Sequence, residues 1–293
     1  MKKRLILSIA CAFALVAAFA LVGCGSSSSS SSSSSAESSA STAELQTIKV
    51  GAVPTPHAEI LNDVVAPLLE KEGYKLEVTE FDDYVLPNTA LDSGDIDANY
   101  FQHVPYMEDF NAENGTDIVE VVSVHFEPFG IYAGQAKSLD ELKEWIADGR
   151  DVTIAVPNDT TNEARALLLL EAQGIIQLPE DAGIDVTAID IIDKPANLTI
   201  EEIEAAQTAR VLEDVAVACI NGNYAQQADL TADDALAIED VESISAQTYA
   251  NVLSVNNGHE NDEAIQALAK ALTSDDVKTY ISEKYGNSVI AVF

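Results

Sequence analysis

The amino-acid sequence predicts an α/β fold of two lobes joined by two crossover strands. From residue 48 onward, short apolar runs alternate with segments of helical period, which is typical of strands and helices in alternation. The alternation comes in two series, one before and one after Ser138. Two strand-like runs, "FEPFGIYA" at 126–133 and "TYANVLSV" at 248–255, lie where the chain would pass between the lobes. We therefore assign residues 47–130 and 250–293 to lobe 1, and residues 131–249 to lobe 2.

The first series begins with a strand at 48–53 and a helix within "TPHAEILNDVVAPLLEKEG", at 55–73. The apolar residues of this helix recur at helical spacing, and Gly73 is a typical helix end. The elements that follow are a strand (75–81), a short helix (88–94), a strand (96–102) and a helix (105–115). The run at 118–133 predicts a strand pair or one bent strand.

In the second series, Ser138 with Glu141 and Thr160 with Glu163 form capping boxes that predict helix starts. Helices are predicted at 138–146, 159–174, 199–207, 261–273 and 274–286, and strands at 151–157, 186–192, 213–220 and 248–255. This alternation predicts parallel sheet.

The first 23 residues predict a secretory signal peptide. Three basic residues precede an apolar run from Leu5 to Val22, and small residues precede Cys24. "LVGC" at 21–24 resembles the lipobox of bacterial lipoproteins. We therefore expect Cys24 to be lipidated and the protein to be anchored at the extracytoplasmic face of the cell membrane. The alternative is a single membrane-spanning helix, which needs about 20 apolar residues and leaves the position of the cysteine unexplained.

Residues 24–46 predict a flexible tether, because a serine run and other small polar residues cannot form a core. The chain has 49 acidic and 15 basic residues, for a formal net charge of −34. A nucleic-acid partner needs a basic surface, so this class of function is excluded. Cys219 is the one cysteine beyond the predicted leader and Cys24, and we expect it to be a small buried apolar residue.

Seven segments, in order, resemble the successive blocks of the NlpA/MetQ family of methionine-binding lipoproteins. They are "VGAVPTPHAEIL", "DANYFQHVPYM", "VHFEPFGIYA", "SLDEL", "VPNDTTNEARALLLLEAQGII", "AVACINGNYA" and "YANVLSV". The resemblance covers essentially the whole chain after the tether. It implies a fold similar to the periplasmic binding proteins, and a monomeric receptor that captures methionine in its L and possibly D form. Such a receptor has no cofactor and delivers its ligand to an ABC permease with a cytoplasmic ATPase.

Free methionine carries two opposite charges and a thioether, which sets what its site must contain. Arg165, in the first turns of a predicted helix, combines a guanidinium fork with a helix N-terminus and suits a carboxylate. By resemblance, Asn221 and Asn251 bind the amino and carboxylate groups of the ligand. We expect Arg210 to have a structural role and Arg150 to be exposed to solvent.

Aromatic rings are expected to surround the sulfur atom, since sulfur–aromatic contacts are favourable. The candidates for this wall are Phe101, His103, Tyr106, His125, Phe126 and Phe129. Glu127 lies between them and would pair with the ligand's ammonium or with the other lobe.

Three alternatives remain at this stage. The ligand could be another amino acid or a small dipeptide. A zinc-binding transport protein would use His57, His103 and His125, although none of them has the paired spacing of a zinc motif. An enzyme is the third, but the sequence has no nucleophile elbow, zincin motif or phosphate-binding loop, so we predict a binding protein with neither catalytic nor metal-binding residues.

Overall fold

The structure is a computed structural model that describes residues 45–240 and 248–293. Its strands are β1 Gln46–Ala52, β2 Tyr74–Glu80, β3 Ala98–His103, β4 Ile118–Phe126, β5 Gly130–Ala133, β6 Val152–Pro157, β7 Leu198–Ile203, β8 Val217–Ile220, β9 Ala235–Ile238, β10 Asn251–Asn256 and β11 Ile290–Ala291. The predicted signal peptide, Cys24 and nearly all of the predicted tether lie outside the described residues.

The α-helices are α1 Ala66–Lys71, α2 Val85–Asp92, α3 Val104–Asn114, α4 Leu139–Ala147, α5 Thr160–Ala172, α6 Gly222–Gln227, α7 Glu263–Leu272 and α8 Asp275–Tyr285. Two π-helical segments, Pro54–Ala58 and Leu61–Val65, precede α1. Short 3-10 segments lie at Ala188–Asp190, Ala205–Val211 and Ala232–Asp234. Within the described residues, no helix is both long enough and apolar enough to cross a membrane.

The strands form two separate sheets. The first sheet has the order β11-β4-β10-β3-β1-β2, and the second has the order β7-β6-β8-β5-β9. Each sheet packs against helices around its own large apolar core, which confirms the predicted α/β fold of two lobes. The chain passes from the first sheet to the second at residues 127–129 and returns between β9 and β10. The exact lobe boundaries stay a prediction, because residues 241–247 of the return lie outside the described ranges.

Both sheets are mixed, so the prediction of parallel sheet is wrong for part of each. β1 is parallel to β2 and β3, and β6 is parallel to β7 and β8. β5 is antiparallel to β8 and β9, and β10 is antiparallel to β3 and β4. β5 and β10 are the strands by which the chain enters a sheet from the other one, and each runs opposite to its neighbours.

Two predicted elements of the second series are wrong. The predicted helix at 199–207 is strand β7 followed by a 3-10 segment, because six residues from Leu198 to Ile203 pair in parallel with β6. The predicted strand at 186–192 pairs with no strand among the described residues, and Ile189 within it is 94% exposed. An isolated bridge between Gln177 and Asp193 lies one residue beyond it. A capping box in this segment, between Thr187 and Asp190, starts a short 3-10 turn instead.

The helix starts differ in how well the sequence predicts them. Ser138 caps α4 as expected, since its hydroxyl accepts from the N–H of Glu141 at 3.1 Å. The cap of α5, however, is Asp159 rather than Thr160: its Oδ1 accepts from the N–H of Asn162 at 3.1 Å. Both residue types are good caps, and the chain enters the helix one residue earlier than the Thr–Glu pattern suggests.

Candidate ligand-binding site

A cavity lies where residues carried by both sheets meet. It encloses about 340 Å³ of space not filled by atoms, a value that includes solvent at its mouth. Its position beyond the ends of β3 and β8 is typical of α/β proteins. The lining residues are Tyr84, Phe101, Gln102, His103, Tyr106, Glu127, Asn162, Arg165, Asn221, Gly222, Asn223 and Asn251.

Six of the nine predicted site residues line this cavity: Phe101, His103, Tyr106, Arg165, Asn221 and Asn251. They come from the end of β3 with the start of α3, from α5, from the residue after β8, and from the start of β10. The remaining two arginines of the described residues, Arg150 and Arg210, lie exposed on the surface, with Arg150 stacked 3.4 Å from the Trp145 ring centroid.

The structure does not bring His125, Phe126 and Phe129 to the cavity. Phe126 is fully buried at the end of β4, opposite Ile290 of β11. Phe129 is part of the core of the second sheet. His125 lies behind Glu127 and donates from Nε2 to its Oε1 at 2.8 Å. A strand buried on both faces leaves such rings inside the protein, and their aromatic character alone does not separate core from cavity wall.

Arg165 is buried, and most of its guanidinium is already occupied. Nε donates to Oε1 of Glu239 at 2.9 Å and Nη2 donates to Oε2 at 2.6 Å, which is a bidentate pair. Nη2 also lies 3.3 Å from the carbonyl oxygen of Glu127. Nη1 lies 3.5 Å from Oδ1 of Asn162, its one hydrogen-bond contact among residues 45–240 and 248–293. Burial opposes the charge of Arg165, but Glu239 offsets this effect and the pKa of the guanidinium is raised.

Three buried polar atoms of the cavity residues have no hydrogen-bond partner among the described residues. They are the acceptors Glu127 Oε2 and Asn221 Oδ1 and the donor Asn223 Nδ2. An unpartnered buried polar group is costly and uncommon in native proteins. Their presence around one cavity indicates that it receives a polar molecule that has both donors and acceptors.

The apolar part of the wall is a cluster of aromatic rings. Tyr84 lies 5.8 Å from Phe101, 5.7 Å from Tyr106 and 4.9 Å from Tyr224, measured between ring centroids. The Tyr84 hydroxyl donates to Oδ1 of Asn223 at 2.6 Å. Sequence reasoning missed Tyr84, because it stands in the loop before α2 and no periodic pattern includes it.

Asn162 is a second residue that the sequence analysis missed. Its Oδ1 accepts from Asn221 Nδ2 at 2.8 Å and lies 3.3 Å from His103 Nε2. The available signal was its spacing, since Asn162 lies three residues before Arg165 and so on the same face of α5. Asn162 therefore links residues that belong to both sheets.

Gly222, Gln102 and Asn223 also line the cavity without having been predicted. A Cβ atom on Gly222 would lie 2.8 Å from Cβ and 2.9 Å from Oε2 of Glu127, so the close approach requires glycine. Gln102 belongs to a buried amide network with Asn88 and Asn99, in which Asn88 Oδ1 accepts from both neighbours at 2.7–2.8 Å.

Behind the cavity, two histidines surround Glu127. His57 Nε2 donates to Oδ1 of Asn251 at 2.9 Å and lies 3.5 Å from Oε1 of Glu127. The Tyr100 hydroxyl donates to Nδ1 of His125. Burial lowers the pKa of His57 to about 4 and that of His125 to about 3, and it raises the pKa of Glu127 to about 7. Both imidazoles are therefore neutral at pH 7.

This cluster also tests the predicted zinc alternative. The ligand atoms of His57, His125 and Glu127 lie within 4.8 Å of one another, so two of the three histidines of that alternative do converge. His103 is not part of the cluster, because it caps α3 by accepting from the N–H of Tyr106 at 3.2 Å. Burial lowers the pKa of His103 to about 3.

Comparison with known proteins gives one consistent result. The model of a family described as NlpA lipoprotein matches residues 48–293. The "D-methionine-binding lipoprotein MetQ" of Escherichia coli is 38% identical over 267 residues, which are 90% of each chain. The crystal structure of a lipoprotein from Ruminococcus gnavus is 54% identical, has a TM-score of 0.81, and covers 85% of this chain and 100% of its own.

A nutrient-binding protein of Burkholderia cenocepacia, whose structure contains bound methionine, is 42% identical. It has a TM-score of 0.77 and covers 84% of this chain and 100% of its own. The resemblance found in the sequence segments is thereby confirmed. The chain belongs to the NlpA lipoprotein family.

Proposed function

We propose that this protein is a lipid-anchored receptor on the extracytoplasmic face of the membrane that captures methionine for an ABC importer. The observation that carries the proposal is the set of unpartnered buried atoms, two acceptors and one donor, around a cavity with an aromatic wall. A small zwitterion with an apolar side chain complements this set. The methionine in the related structure from Burkholderia cenocepacia and the name of the Escherichia coli relative support this choice of ligand.

Each part of the ligand has a proposed contact. Glu127 Oε2 and Asn221 Oδ1 accept hydrogen bonds from the ammonium. Arg165 Nη1, Asn223 Nδ2 and the amide of Asn251 bind the carboxylate, and the Asn251 amide is oriented by the bond from His57 to its Oδ1. The thioether lies among Tyr84, Phe101 and Tyr106, where each sulfur–aromatic contact contributes about 0.3 to 1.5 kcal/mol.

Membership of the family supports our proposal for delivery and anchoring. Lipidated Cys24 holds the receptor at the membrane, and the tether of residues 24–46 lets it reach a permease whose ATPase is cytoplasmic. The receptor acts as a monomer, and we propose that it binds its ligand without chemical change and without a cofactor.

Calorimetric titration tests the proposal. Protein stripped of carried-over ligand by unfolding and refolding is titrated with L-methionine, D-methionine, other amino acids and a methionine dipeptide. We expect methionine to bind most tightly, with a loss of about tenfold or more in Arg165→Met because a charged hydrogen bond is removed. Arg150→Ala, which removes an exposed arginine, is the matched control and should bind like the wild type. Preference for another amino acid or for the dipeptide would reassign the ligand.

A second candidate rests on the His57–His125–Glu127 cluster, which could hold a zinc ion. In that case zinc would bind with one-to-one stoichiometry, and His125→Gln would abolish it. Binding of zinc together with absence of methionine binding would replace the methionine proposal. Methionine binding that is insensitive to chelators would exclude the metal.

A further inference from the structure

The Arg165–Glu239 pair lies at the junction of the two connections between the sheets. Glu239 follows β9 directly, at the start of the return to the first sheet. Its Oε2 accepts from the N–H of Phe129 at 3.1 Å, and its own N–H donates to the carbonyl oxygen of Phe129 at 2.9 Å. Phe129 belongs to the first connection, so Glu239 holds the two connections side by side.

The guanidinium of Arg165 is fixed from several directions. The carboxylate of Glu239 accepts hydrogen bonds from Nε and Nη2, and the centroid of the Tyr249 ring lies 4.3 Å from Cζ. The centroid of the Phe129 ring lies 5.1 Å from Cζ. The nitrogen least occupied by these contacts is Nη1, and Arg165 lines the cavity. A long side chain with many rotamers is thereby held in one orientation.

A zwitterion site must keep its own opposite charges apart. Since His103 is neutral, Glu127 and Arg165 are the two charged residues of the described cavity lining, and both are nearly inaccessible to solvent. Opposite charges in such surroundings attract strongly. Nevertheless Oε2 of Glu127 has no partner among the described residues, and Arg165 reaches only the carbonyl oxygen of Glu127. The carboxylate of Glu239 instead accepts hydrogen bonds from two nitrogens of Arg165, Nε and Nη2.

We propose that Glu239 is a positioning residue that presents Arg165 to the carboxylate of the ligand and prevents Arg165 from pairing with Glu127. The inference rests on the proposed function, in which Arg165 binds that carboxylate. Glu239 does not line the cavity and need not touch the ligand. Without its charge, Arg165 turns toward Glu127 and both charged contacts of the ligand are weakened.

The test compares methionine with methioninol, which retains the ammonium and the thioether but has no carboxylate. Both are titrated into the wild type, Glu239→Gln, Glu239→Asp and Arg165→Met. We expect Glu239→Gln to lower methionine affinity by about tenfold or more, the size of a lost charged hydrogen bond, and to reduce the preference for methionine over methioninol. Glu239→Asp keeps the charge and should recover part of that preference. The exposed Glu201→Gln, which removes one negative charge from β7, is the matched control and should leave both affinities unchanged.

The double variant Arg165→Met with Glu239→Gln separates positioning from stability. If Glu239 acts through Arg165, the double variant should show the same methionine-to-methioninol preference as Arg165→Met alone. Equal weakening of both ligands in Glu239→Gln, with the preference kept, would show a structural role and overturn the inference. Absence of methionine binding in the wild type would instead refute the proposed function and this inference with it. A preference for methionine over methioninol that Arg165→Met leaves unchanged would have the same consequence.

Discussion

At the scale of single residues, Glu127 combines burial, two neutral histidine neighbours and an unpartnered oxygen. Burial raises its pKa to about 7, whereas His57 and His125 have their pKa values lowered to about 4 and about 3. Arg165 is always charged. Among the described residues that line the cavity, Glu127 is therefore the group whose charge changes as the pH falls from about 7 toward 5.

The first prediction concerns pH and ligand affinity. Binding of an ammonium requires the ionised carboxylate, so methionine affinity should fall as the pH drops below about 7, by up to about tenfold per pH unit. Calorimetry between pH 5 and 8 measures this dependence. In Glu127→Gln the affinity should be lower at pH 8 and nearly independent of pH. A wild-type affinity that does not change over this interval would contradict the ionised contact.

Glu127 also affects the free energy of unfolding, and this effect has the opposite pH dependence to that of methionine affinity. Its pKa in the folded protein, about 7, lies above the ordinary value of 4.5. Between pH 4.5 and 7 the folded state therefore binds more protons than the unfolded state. The contribution of Glu127 to the free energy of unfolding is present below pH 4.5 and is lost as the pH rises toward 7. Glu127→Gln should therefore gain stability relative to the wild type as the pH rises over that interval, as measured by urea unfolding.

A further prediction at this scale concerns Gly222. In Gly222→Ala the added methyl group collides with the Glu127 side chain. We expect a loss of about 1 to 3 kcal/mol in unfolding free energy, as for overpacked sites, together with a large loss of methionine affinity. Urea unfolding and calorimetry measure the two effects. Gly183→Ala is the control, since its Cβ would meet only the flexible end of Asp185 at 3.2 Å. Equal behaviour of the two variants would contradict the steric argument.

At the scale of elements, α5 carries both Arg165 and Asn162 and begins at the cavity. Asp159 Oδ1 accepts from the backbone N–H and from the side-chain Nδ2 of Asn162, at 3.1 and 2.7 Å. Glu163, the expected partner of a Thr160 cap, instead accepts from the N–H of Ala188 at 2.6 Å. The cap therefore fixes the first turn of the helix and one site residue together.

This arrangement gives a prediction that separates the two possible caps. Asp159→Ala should lower the unfolding free energy by about 1 kcal/mol, the usual cost of losing a cap, and should weaken methionine binding by releasing Asn162. Thr160→Ala should have little effect on either quantity. Urea unfolding and calorimetry of both variants provide the comparison, and a larger effect of Thr160→Ala would restore the Thr–Glu capping box.

Element type is predictable where local pattern and tertiary pairing agree. The helix after Ser138 and the strand at 151–157 carry both a local signal and a matching neighbour, and both form. The segment at 199–207 has a helical composition, but pairing with β6 makes its first half a strand. A local sequence pattern carries no information about a pairing partner that is distant in the sequence. The strand at the start of this segment could therefore not be predicted from its own residues.

The same reasoning explains which site residues the sequence could predict. The predicted residues that line the cavity stand at strand ends or in the first two turns of a helix, where side chains commonly reach a cavity: Phe101, His103, Tyr106, Arg165, Asn221 and Asn251. His125, Phe126 and Phe129 share that sequence setting but point into cores or behind Glu127. Tyr84 reaches the cavity from a loop, and its position depends on rings contributed by both sheets.

At the scale of the whole molecule, contacts across the cavity connect the two α/β halves. The Tyr84 hydroxyl donates to Asn223, and the Tyr224 hydroxyl lies 3.3 Å from the carbonyl oxygen of Asp82. These bonds exist in the closed arrangement that surrounds the cavity, so they stabilise that arrangement relative to any more open one.

We therefore predict that Tyr84→Phe speeds ligand release. Loss of one hydrogen bond of about 1 kcal/mol corresponds to about fivefold in the dissociation rate, while the association rate should change little. Stopped-flow fluorescence or surface plasmon resonance measures both rates. Tyr74→Phe, at the start of β2, is a matched control. A change confined to the association rate would contradict a role of this bond in holding the closed state.

The strand order of the first sheet has a consequence for the order of assembly during biosynthesis. β10 lies between β4 and β3, although it follows every strand of the second sheet in the sequence. The second sheet is built from one continuous stretch, Gly130–Ile238, and has all its strands available once that stretch has emerged. The first sheet has a gap at its centre until Asn251–Asn256 arrives. Because domains fold as their chain becomes available, we expect the half encoded in the middle of the sequence to fold first and the half that contains the N-terminal strand to be completed last.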